Sequence, residues 1–336
     1  MIFAPVPLEE ALGTVLAHTQ RLDRVIIKKG SVLNALDLQA LREADLHRVV
    51  VARLEADDLG ENEAAGRLAT ALQGKDITIG RIASGRCNLH ADAAGLLLVE
   101  RGGIDRINRV HPALTVATLE PVARVGAGER LATIKVIPFA APAAAVREAE
   151  RLADQDRPLR LHRFLPLRVG LILTRLPRTQ GRLLDSTILT TQTRIAALGG
   201  TLLPPIVVGH EPEPVATAIR QLLDQAPDIV LLAGAAATVD PLDVVPVSIV
   251  AAGGAIEHFG MPAEPGNLIC KGHCGDVTML VLPSCARNPK ANGTDFLLQR
   301  LFCRLPVSPL DIMNMGVGGL LREPVSPFDS RTKRSG

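Results

Sequence analysis

The chain of 336 residues is long enough for two domains, and its 47% hydrophobic and 21% charged residues exclude intrinsic disorder. Seven Phe with no Trp and no Tyr exclude base stacking on aromatic platforms and aromatic cages as binding modes. The 37 basic and 35 acidic residues give a net charge of only +2, so no surface is committed to phosphate backbones and we expect no nucleic-acid partner.

The first part of the chain, 1–158, predicts a mixed α/β region in which short β-rich runs punctuated by glycines follow residue 76. The polar stretch DQDRP at its end is the best candidate for a linker. In chain order we predict a helix over 8–18, a strand over 24–30, a helix over 37–45, a strand over 48–54, a helix over 61–73, β-rich runs from 77 and a helix over 141–154.

The second part, 159–322, alternates fully apolar strands with amphipathic helices, which is typical of a mostly parallel sheet with helices on both faces. We therefore predict a three-layer α/β/α domain, followed by a flexible polar tail over 323–336. The predicted strands are 167–174, 201–209, 228–235, 255–261, 267–270 and 277–283; the predicted helices are 185–198, 211–225, 241–252, 294–303 and 308–315.

Ligands of such sheets bind outside the carboxyl ends of the strands, where the strand order reverses. Three connections lie at these ends: 174–182, 234–243 and 283–290. The first carries three arginines and the third carries Arg287 and Lys290, while helix N-termini add unpaired N–H groups and positive dipole ends. The sequence therefore predicts an anionic ligand, and we expect a phosphate.

Asp185 and Asp243 stand at the starts of two predicted helices. Either residue can be an N-cap, which accepts a hydrogen bond from the first turn. Either can instead hold Mg²⁺ against a phosphate or nucleotide. One carboxylate can also do both, so the two interpretations stay open.

Four segments in order resemble the molybdopterin-binding domain family of molybdenum-cofactor biosynthesis, which includes molybdotransferases and adenylyltransferases. They are Leu184-Asp185-Ser186-Thr187, the run 232–238 leading to Asp240 and Asp243, the run 259–267, and the turn 282–286. The resemblance covers about residues 167–305. The segments 8–18 and 29–33 are similar to the opening of a molybdotransferase. The whole chain is most similar to a bacterial group in which such a region often precedes a cytidylyltransferase-like domain.

The resemblance implies a molybdopterin-binding protein of cofactor biosynthesis or maturation, with Asp185 and Asp243 as catalytic residues that flank Mg²⁺. It also implies a cytidylyltransferase or molybdoenzyme partner and a homo-oligomer. The residues implied to contact the pterin phosphate are Thr174, Ser186, Gly234, Ala235, Ala236, Thr238, Asp240, Pro283, Ser284, Cys285 and Arg287.

The family's central glycines are replaced here by Ala235, Ala236 and Ala237. The chain is a transferase if it is active, and the alanines favour the alternative of a non-catalytic molybdopterin carrier or partner of a separate nucleotidyltransferase. A dinucleotide oxidoreductase is disfavoured because no Gly-x-Gly-x-x-Gly turn follows any strand.

Five cysteines form an odd set, which suits a reducing cytoplasm better than a disulfide framework. The N-terminus lacks the pattern of a signal peptide and the apolar runs are too short to span a membrane, so we expect a cytoplasmic protein with no membrane partner. Cys270 and Cys274 suggest a β-turn rather than a zinc site. Cys285 stands near basic residues that can lower the pKa of its thiol.

Overall fold

The computed structural model describes residues Met1–Leu321, and the chain divides into two compact units after Arg163. This division falls a few residues later than the sequence suggests, because the strand Leu159–Arg163 pairs antiparallel with Gly95–Val99 and so belongs to the first unit. The predicted tail over 323–336 lies outside the described residues. No helix in the described range is both long and apolar enough to cross a membrane.

The first unit is a mixed α/β region, as the sequence predicts. Its strands are β1 (Ile2–Pro7), β2 (Val15–Leu16), β3 (Gln20–Arg21), β4 (Ile26–Ile27), β5 (Arg48–Arg53), β6 (Asp58–Gly60), β7 (Ile77–Ile79), β8 (Arg86–Ala91), β9 (Gly95–Val99), β10 (Leu114–Thr118), β11 (Val122–Val125), β12 (Arg130–Val136), β13 (Ala140–Pro142) and β14 (Leu159–Arg163). Its helices are α1 (Ala35–Glu43), α2 (Glu61–Leu72), α3 (Arg101–Val110) and α4 (Ala143–Asp156).

Two apolar cores hold the first unit together. The smaller core includes Leu8, Leu16 and Leu41 and lies with the sheet β1-β5-β2. The larger core includes Leu68 of α2 and Val146 of α4, and it packs against the sheets β10-β12-β8-β7 and β11-β9-β14. Burial of these aliphatic side chains replaces the aromatic core that the composition lacks.

The second unit has the layered α/β architecture that the sequence predicts. Its strands are β15 (Arg168–Arg175), β16 (Thr201–Leu202), β17 (Ile206–Gly209), β18 (Ile229–Ala233), β19 (Ala255–Phe259), β20 (Cys270–Cys274) and β21 (Val277–Leu282). Its helices are α5 (Gly181–Ala196), α6 (Pro212–Leu223), α7 (Val244–Ala251), α8 (Gly293–Phe302) and α9 (Pro309–Met313).

The sheet of this unit is mostly parallel. Strand β15 pairs in parallel with β16, β17 and β18, and β18 pairs in parallel with β21; only β20 runs antiparallel, between β21 and β19. Core residues of α5 and α8 cover one face of this sheet and core residues of α6 and α7 cover the other. The predicted three layers are therefore present.

The strand order reverses between β15 and β18. From β15 the chain passes through α5 to the edge strands β16 and β17, and α6 then returns it to β18 on the other side of β15. The carboxyl ends of β15 and β18 thus diverge into helices that lead in opposite directions. This is the place at which an open α/β sheet leaves room for a ligand.

Candidate functional site

Strand pairing brings the three predicted loops to one edge of the sheet. Leu173 near the end of β15 lies opposite Ala233 at the end of β18, and Ala233 lies opposite Leu282 at the end of β21. The segments that follow these residues are therefore neighbours, as the sequence predicts for parallel strands.

Thr174 lies at the centre of this edge. Its side chain is buried, and its Oγ1 accepts a hydrogen bond of 2.7 Å from the backbone N–H of Ala235. The same oxygen lies 2.8 Å from Nδ1 of His210, a partly buried residue that directly follows β17. Thr174 therefore connects three strand ends. His210 is not among the residues predicted from the sequence, although its place after a predicted parallel strand was a signal that could have found it.

Arg287 links the third loop to the second. It ends the short 3₁₀ helix Ser284–Arg287, and its guanidinium donates a hydrogen bond to the backbone carbonyl of Gly234. Burial lowers the pKa of this guanidinium from its usual value, yet an arginine stays charged in proteins. Within Met1–Leu321 no carboxylate forms an ion pair with it. Arg287 is thus a partly buried positive charge without a described counter-ion.

A small cavity separates these groups from the start of α5. The space open to the centre of a water molecule is only about 10 Å³, which is room for about one water. A larger ligand must therefore bind at the mouth of this cavity or displace the segment around Thr179. The lining residues are Leu173, Thr174, Thr179, Leu183, Leu184, Thr187, Ala233, Ala235 and Arg287.

Arg194 of α5 fixes the third loop, and it is not among the residues predicted from the sequence. Its Nε donates to Asp295 Oδ1 at 2.7 Å, while its Nη atoms donate to the carbonyls of Ala286 at 2.9 Å and Asn288 at 3.0 Å. The side chain is only 10% exposed. An arginine beside the apolar Ile195, on the core-facing side of a predicted helix, was the available signal.

Asp185 is not the N-cap of α5. The helix begins at Gly181 after Gln180, because the hydroxyl of Thr179 accepts the N–H of Leu176 and closes the preceding turn early. Asp185 therefore lies in the second turn and is exposed, as is Ser186. No described residue donates a hydrogen bond to its carboxylate.

Asp243 is confirmed as an N-cap. Its Oδ1 accepts the N–H of Val244 at 2.7 Å. The helix starts at Val244 rather than at Pro241, because Asp240 Oδ1 accepts the N–H of Leu242 and holds the preceding residues in a turn. Asp240 itself is exposed and Asp243 is partly buried.

The described residues contain no preformed metal site. Among residues Met1–Leu321 no group of three or more His, Cys, Asp or Glu side chains lies close enough to hold a metal. Mg²⁺ is commonly bound by one or two carboxylates, waters and the phosphates of a substrate. The predicted Mg²⁺ site at Asp185 and Asp243 therefore stays a prediction.

Gly234 is required by its own loop. A Cβ at this position would lie 2.8 Å from the backbone carbonyl oxygen of Ala236, so the loop could not keep its path. This near contact lies within the loop itself. Thr238 is buried in the same loop, whereas Ala236 and Ala237 are exposed.

The other predicted residues of the third loop differ in their exposure to solvent. Pro283 is buried, Ser284 is exposed and Cys285 is partly buried. Burial raises the pKa of the Cys285 thiol, so the expectation of a lowered pKa is wrong. The neighbouring Arg194 lowers this pKa, but its effect is smaller than that of desolvation.

We predict that Cys285 is a slow nucleophile. Because a raised pKa leaves less thiolate at neutral pH, iodoacetamide should alkylate it more slowly than free glutathione, and the rate should rise with pH. Intact-mass spectrometry at pH 7.5 measures this. The variant Cys285→Ser should remove the labelling of the native protein, since the other four cysteines are buried. Alkylation as fast as that of glutathione would contradict the prediction.

Cys270 and Cys274 lie on strand β20 and not in a β-turn, so that expectation is wrong. Residues 270–274 pair with both β19 and β21, and both thiols point into the core beneath α7. Burial raises the pKa of Cys270 to about 11. These thiols therefore pack as small apolar groups.

Comparison with known proteins gives two structural likenesses. No family model matches the chain, and no curated protein matches it. It is similar to the molybdopterin biosynthesis MoeA protein from Pyrococcus horikosii, with 13% identity over 90% of this chain and 75% of that one and a TM-score of 0.30. It is also similar to a structure described as the anomalous substructure of MogA, with 16% identity over 41% of this chain and 92% of that one and a TM-score of 0.28. The layered α/β fold of the second unit follows from its own sheet topology.

Proposed function

We propose that the second unit binds a pterin phosphate of the molybdopterin class at the carboxyl edge of its sheet, in molybdenum-cofactor biosynthesis or maturation. The observation that carries this proposal is Arg287, a partly buried cation with no described counter-ion. Arg287 lines the same small cavity as Thr174, whose side chain is buried, and Ala235.

The electrostatics favour an anion. A charge removed from water loses hydration, and an ion of opposite sign compensates for that loss. No described carboxylate does so for Arg287, so a bound phosphate oxygen is the natural partner. The exposed Arg175, Arg178 and Arg182 of the first loop add positive charge around the same edge.

The loops also offer a surface for the ring of a pterin. Leu176, Val239 and Leu242, which lie in the first two loops, are 47%, 67% and 83% exposed. With no Trp or Tyr in the chain, these aliphatic groups are the available cover for a planar ring.

The resemblance to molybdopterin-binding domains supports the same ligand. The contacts that we propose for the pterin phosphate come from Thr174, Ser186, Gly234, Ala235, Ala236, Thr238, Asp240, Pro283, Ser284, Cys285 and Arg287. Asp185 and Asp243 would hold Mg²⁺ with the phosphate, and the metal would neutralise charge on the transferred or bound group.

The proposed site can belong either to a transferase or to a non-catalytic carrier. A transferase of this pathway would convert molybdopterin in the presence of Mg²⁺ and either ATP or molybdate into an adenylylated or metallated product. A non-catalytic carrier would bind the pterin with one-to-one stoichiometry and leave it unchanged. The alanines at 235–237, in place of the family's glycines, favour the carrier. Mass spectrometry of the pterin after incubation separates the two.

We also propose a cellular compartment and partners for this protein. The five cysteines form no disulfide, which supports a reducing cytoplasm. We also propose a homo-oligomer, and a cytidylyltransferase or molybdoenzyme as recipient of the bound pterin. Light scattering on the purified protein and co-purification with each candidate recipient would test these two points.

We predict that Arg287→Gln weakens binding of molybdopterin by roughly 10- to 100-fold, because a hydrogen bond to a charged group contributes about 1.5–3 kcal/mol. Isothermal titration calorimetry of each variant with molybdopterin measures the affinity. The matched control is Arg151→Gln, which removes the same charge from an exposed position on α4. Equal affinities for the two variants would contradict the proposed site.

A further inference from the structure

The first unit contains an open groove between helices α2 and α4 and the loop 80–85, which joins β7 to β8. Its volume is about 590 Å³, which is within the usual range for pockets that bind ligands. We call it the α2–α4 groove. It is built by the first unit alone, and its lining residues are Asn62, Glu63, Gly66, Arg67, Thr70, Ala71, Ile82, Glu150 and Asp154.

Small side chains bring the two helices together beneath this groove. Ala65 and Ala69 of α2 and Ala149 of α4 are fully buried in the larger core of the unit. The lining residues of α2 recur at intervals of three and four, so they share one face of the helix. From Asn62 to Ala71 this face is about 13 Å long, which matches two to three turns of a helix or about four extended residues.

One wall of the groove is apolar and held in place. The backbone N–H of Gly85 donates to Asn62 Oδ1 at 2.8 Å, which ties the loop to the first turn of α2. The same loop lays Ile82 against the helix at Gly66, where a Cβ would lie only 2.9 Å from Ile82 Cδ1. Ile82 is nevertheless 39% exposed. Its side chain therefore offers a fixed apolar surface to a partner.

The charged residues of the groove are mostly acidic. Arg67 donates to both carboxylate oxygens of Glu150, at 2.8 and 2.7 Å, and this hydrogen bonding together with the charge of Glu63 raises the pKa of Arg67. Among residues Met1–Leu321, none donates a hydrogen bond to the carboxylate of Glu63 or Asp154, and both side chains are exposed. The groove thus has an excess of two negative charges in a chain whose net charge is +2.

We propose that the α2–α4 groove docks a short basic segment of a partner protein, with an apolar side chain of that segment against Ile82 and its Lys or Arg residues beside Glu63 and Asp154. Complementary charge selects the partner. An acidic segment would be repelled, and it could reach Arg67 only by breaking the pair with Glu150. The inference is independent of the anion site proposed for the second unit.

A peptide of minimal composition tests the proposal. The probe is acetyl-Lys-Leu-Leu-Lys-amide, and the intact protein carries ¹³C-labelled methyl groups at isoleucine Cδ1 for NMR. The Ile82 signal, assigned by its loss in Ile82→Leu, should shift and saturate as the peptide is added. Acetyl-Glu-Leu-Leu-Glu-amide and acetyl-Lys-Ser-Ser-Lys-amide should bind at least about tenfold more weakly, since each lacks one of the two required features.

Three variants divide the affinity between charge and apolar contact. Glu63→Gln and Asp154→Asn should each weaken binding of the Lys-Leu peptide about two- to fivefold, as is typical for exposed ion pairs. Ile82→Ala leaves every charge in place and should weaken it by at least as much. The matched control is Glu148→Gln on α4, which removes a carboxylate that pairs with Arg151 and does not line the groove. It should leave the affinity unchanged. Circular dichroism confirms that each variant is folded.

The other outcomes would each overturn the proposal. One is the absence of a saturable shift of the Ile82 signal, and another is equal binding by the Glu-Leu peptide. Spermidine that binds as tightly as the Lys-Leu peptide would show a site for small polycations. Self-association of the protein in light scattering that Ile82→Ala abolishes would assign the groove to a second copy of the chain.

Discussion

Replacement of Arg194 by Ala should lower the free energy of unfolding of the second unit by about 3–5 kcal/mol, because it breaks a largely buried ion pair and leaves its partners unpaired. The lost contacts are those to Asp295 and to the carbonyls of Ala286 and Asn288. Urea denaturation followed by circular dichroism measures the change, since the chain lacks the fluorescent Trp and Tyr.

Two comparisons make the result specific to the contacts of Arg194. Arg194→Lys should recover only part of the loss, because an ammonium group cannot reproduce the planar fork of a guanidinium. Arg182→Ala removes an exposed arginine from the same helix and should change stability by less than about 0.5 kcal/mol. A loss below about 1 kcal/mol for Arg194→Ala would show that the third loop is held by other contacts.

Loss of the Arg194 contacts should also weaken ligand binding at the proposed site. Arg194 holds the carbonyls that flank Arg287, and Arg287 in turn holds the carbonyl of Gly234. Under conditions in which Arg194→Lys remains folded, its affinity for the pterin should therefore fall although it does not line the cavity. This readout distinguishes a loop-positioning role from a purely local contribution to stability.

Phe302→Ala should destabilise the second unit by about 3–5 kcal/mol, which is typical when a fully buried aromatic ring is truncated. Phe302 is the last residue of α8. Its side chain has no exposed surface and lies in the core beneath α5 and α8. Its ring packs so closely on Gly200 that a Cβ there would lie 2.6 Å from Cε1. Denaturant unfolding again provides the measurement.

Phe302→Leu should cost clearly less than Phe302→Ala because it leaves a smaller cavity. Phe3→Ala is the exposed control: this ring is 54% exposed and touches His18 at the surface, so its loss should be small. Equal losses at Phe3 and Phe302 would mean that burial does not set the cost of losing a ring in this chain.

The helix boundaries show how much of each helix the local sequence pattern predicts. The run 211–225 predicts a helix, and α6 occupies Pro212–Leu223 because its apolar residues repeat with the helical period. The predicted start at Asp185 is wrong, because the turn closed by Thr179 lets α5 begin earlier. The predicted start at Pro241 is wrong because Asp240 holds a turn and Asp243 then caps the helix. In both cases a side-chain hydrogen bond within the loop, which the periodicity does not reveal, accompanies the shift of the first helical residue.

The sequence by itself determined the alternation of apolar strands and amphipathic helices, and therefore the layered α/β unit and the edge at which its three loops meet. It also placed Thr174, Gly234 and Arg287 in those loops. Only the tertiary structure decided which side chains contact one another there. Thr174 and His210 come into contact only because strands β15 and β17 lie side by side. The hydrogen bond from Arg194 to Asp295 likewise joins residues that are far apart in the chain. Hydrogen bonds between distant segments depend on strand register and helix packing, which no local spacing of residues encodes.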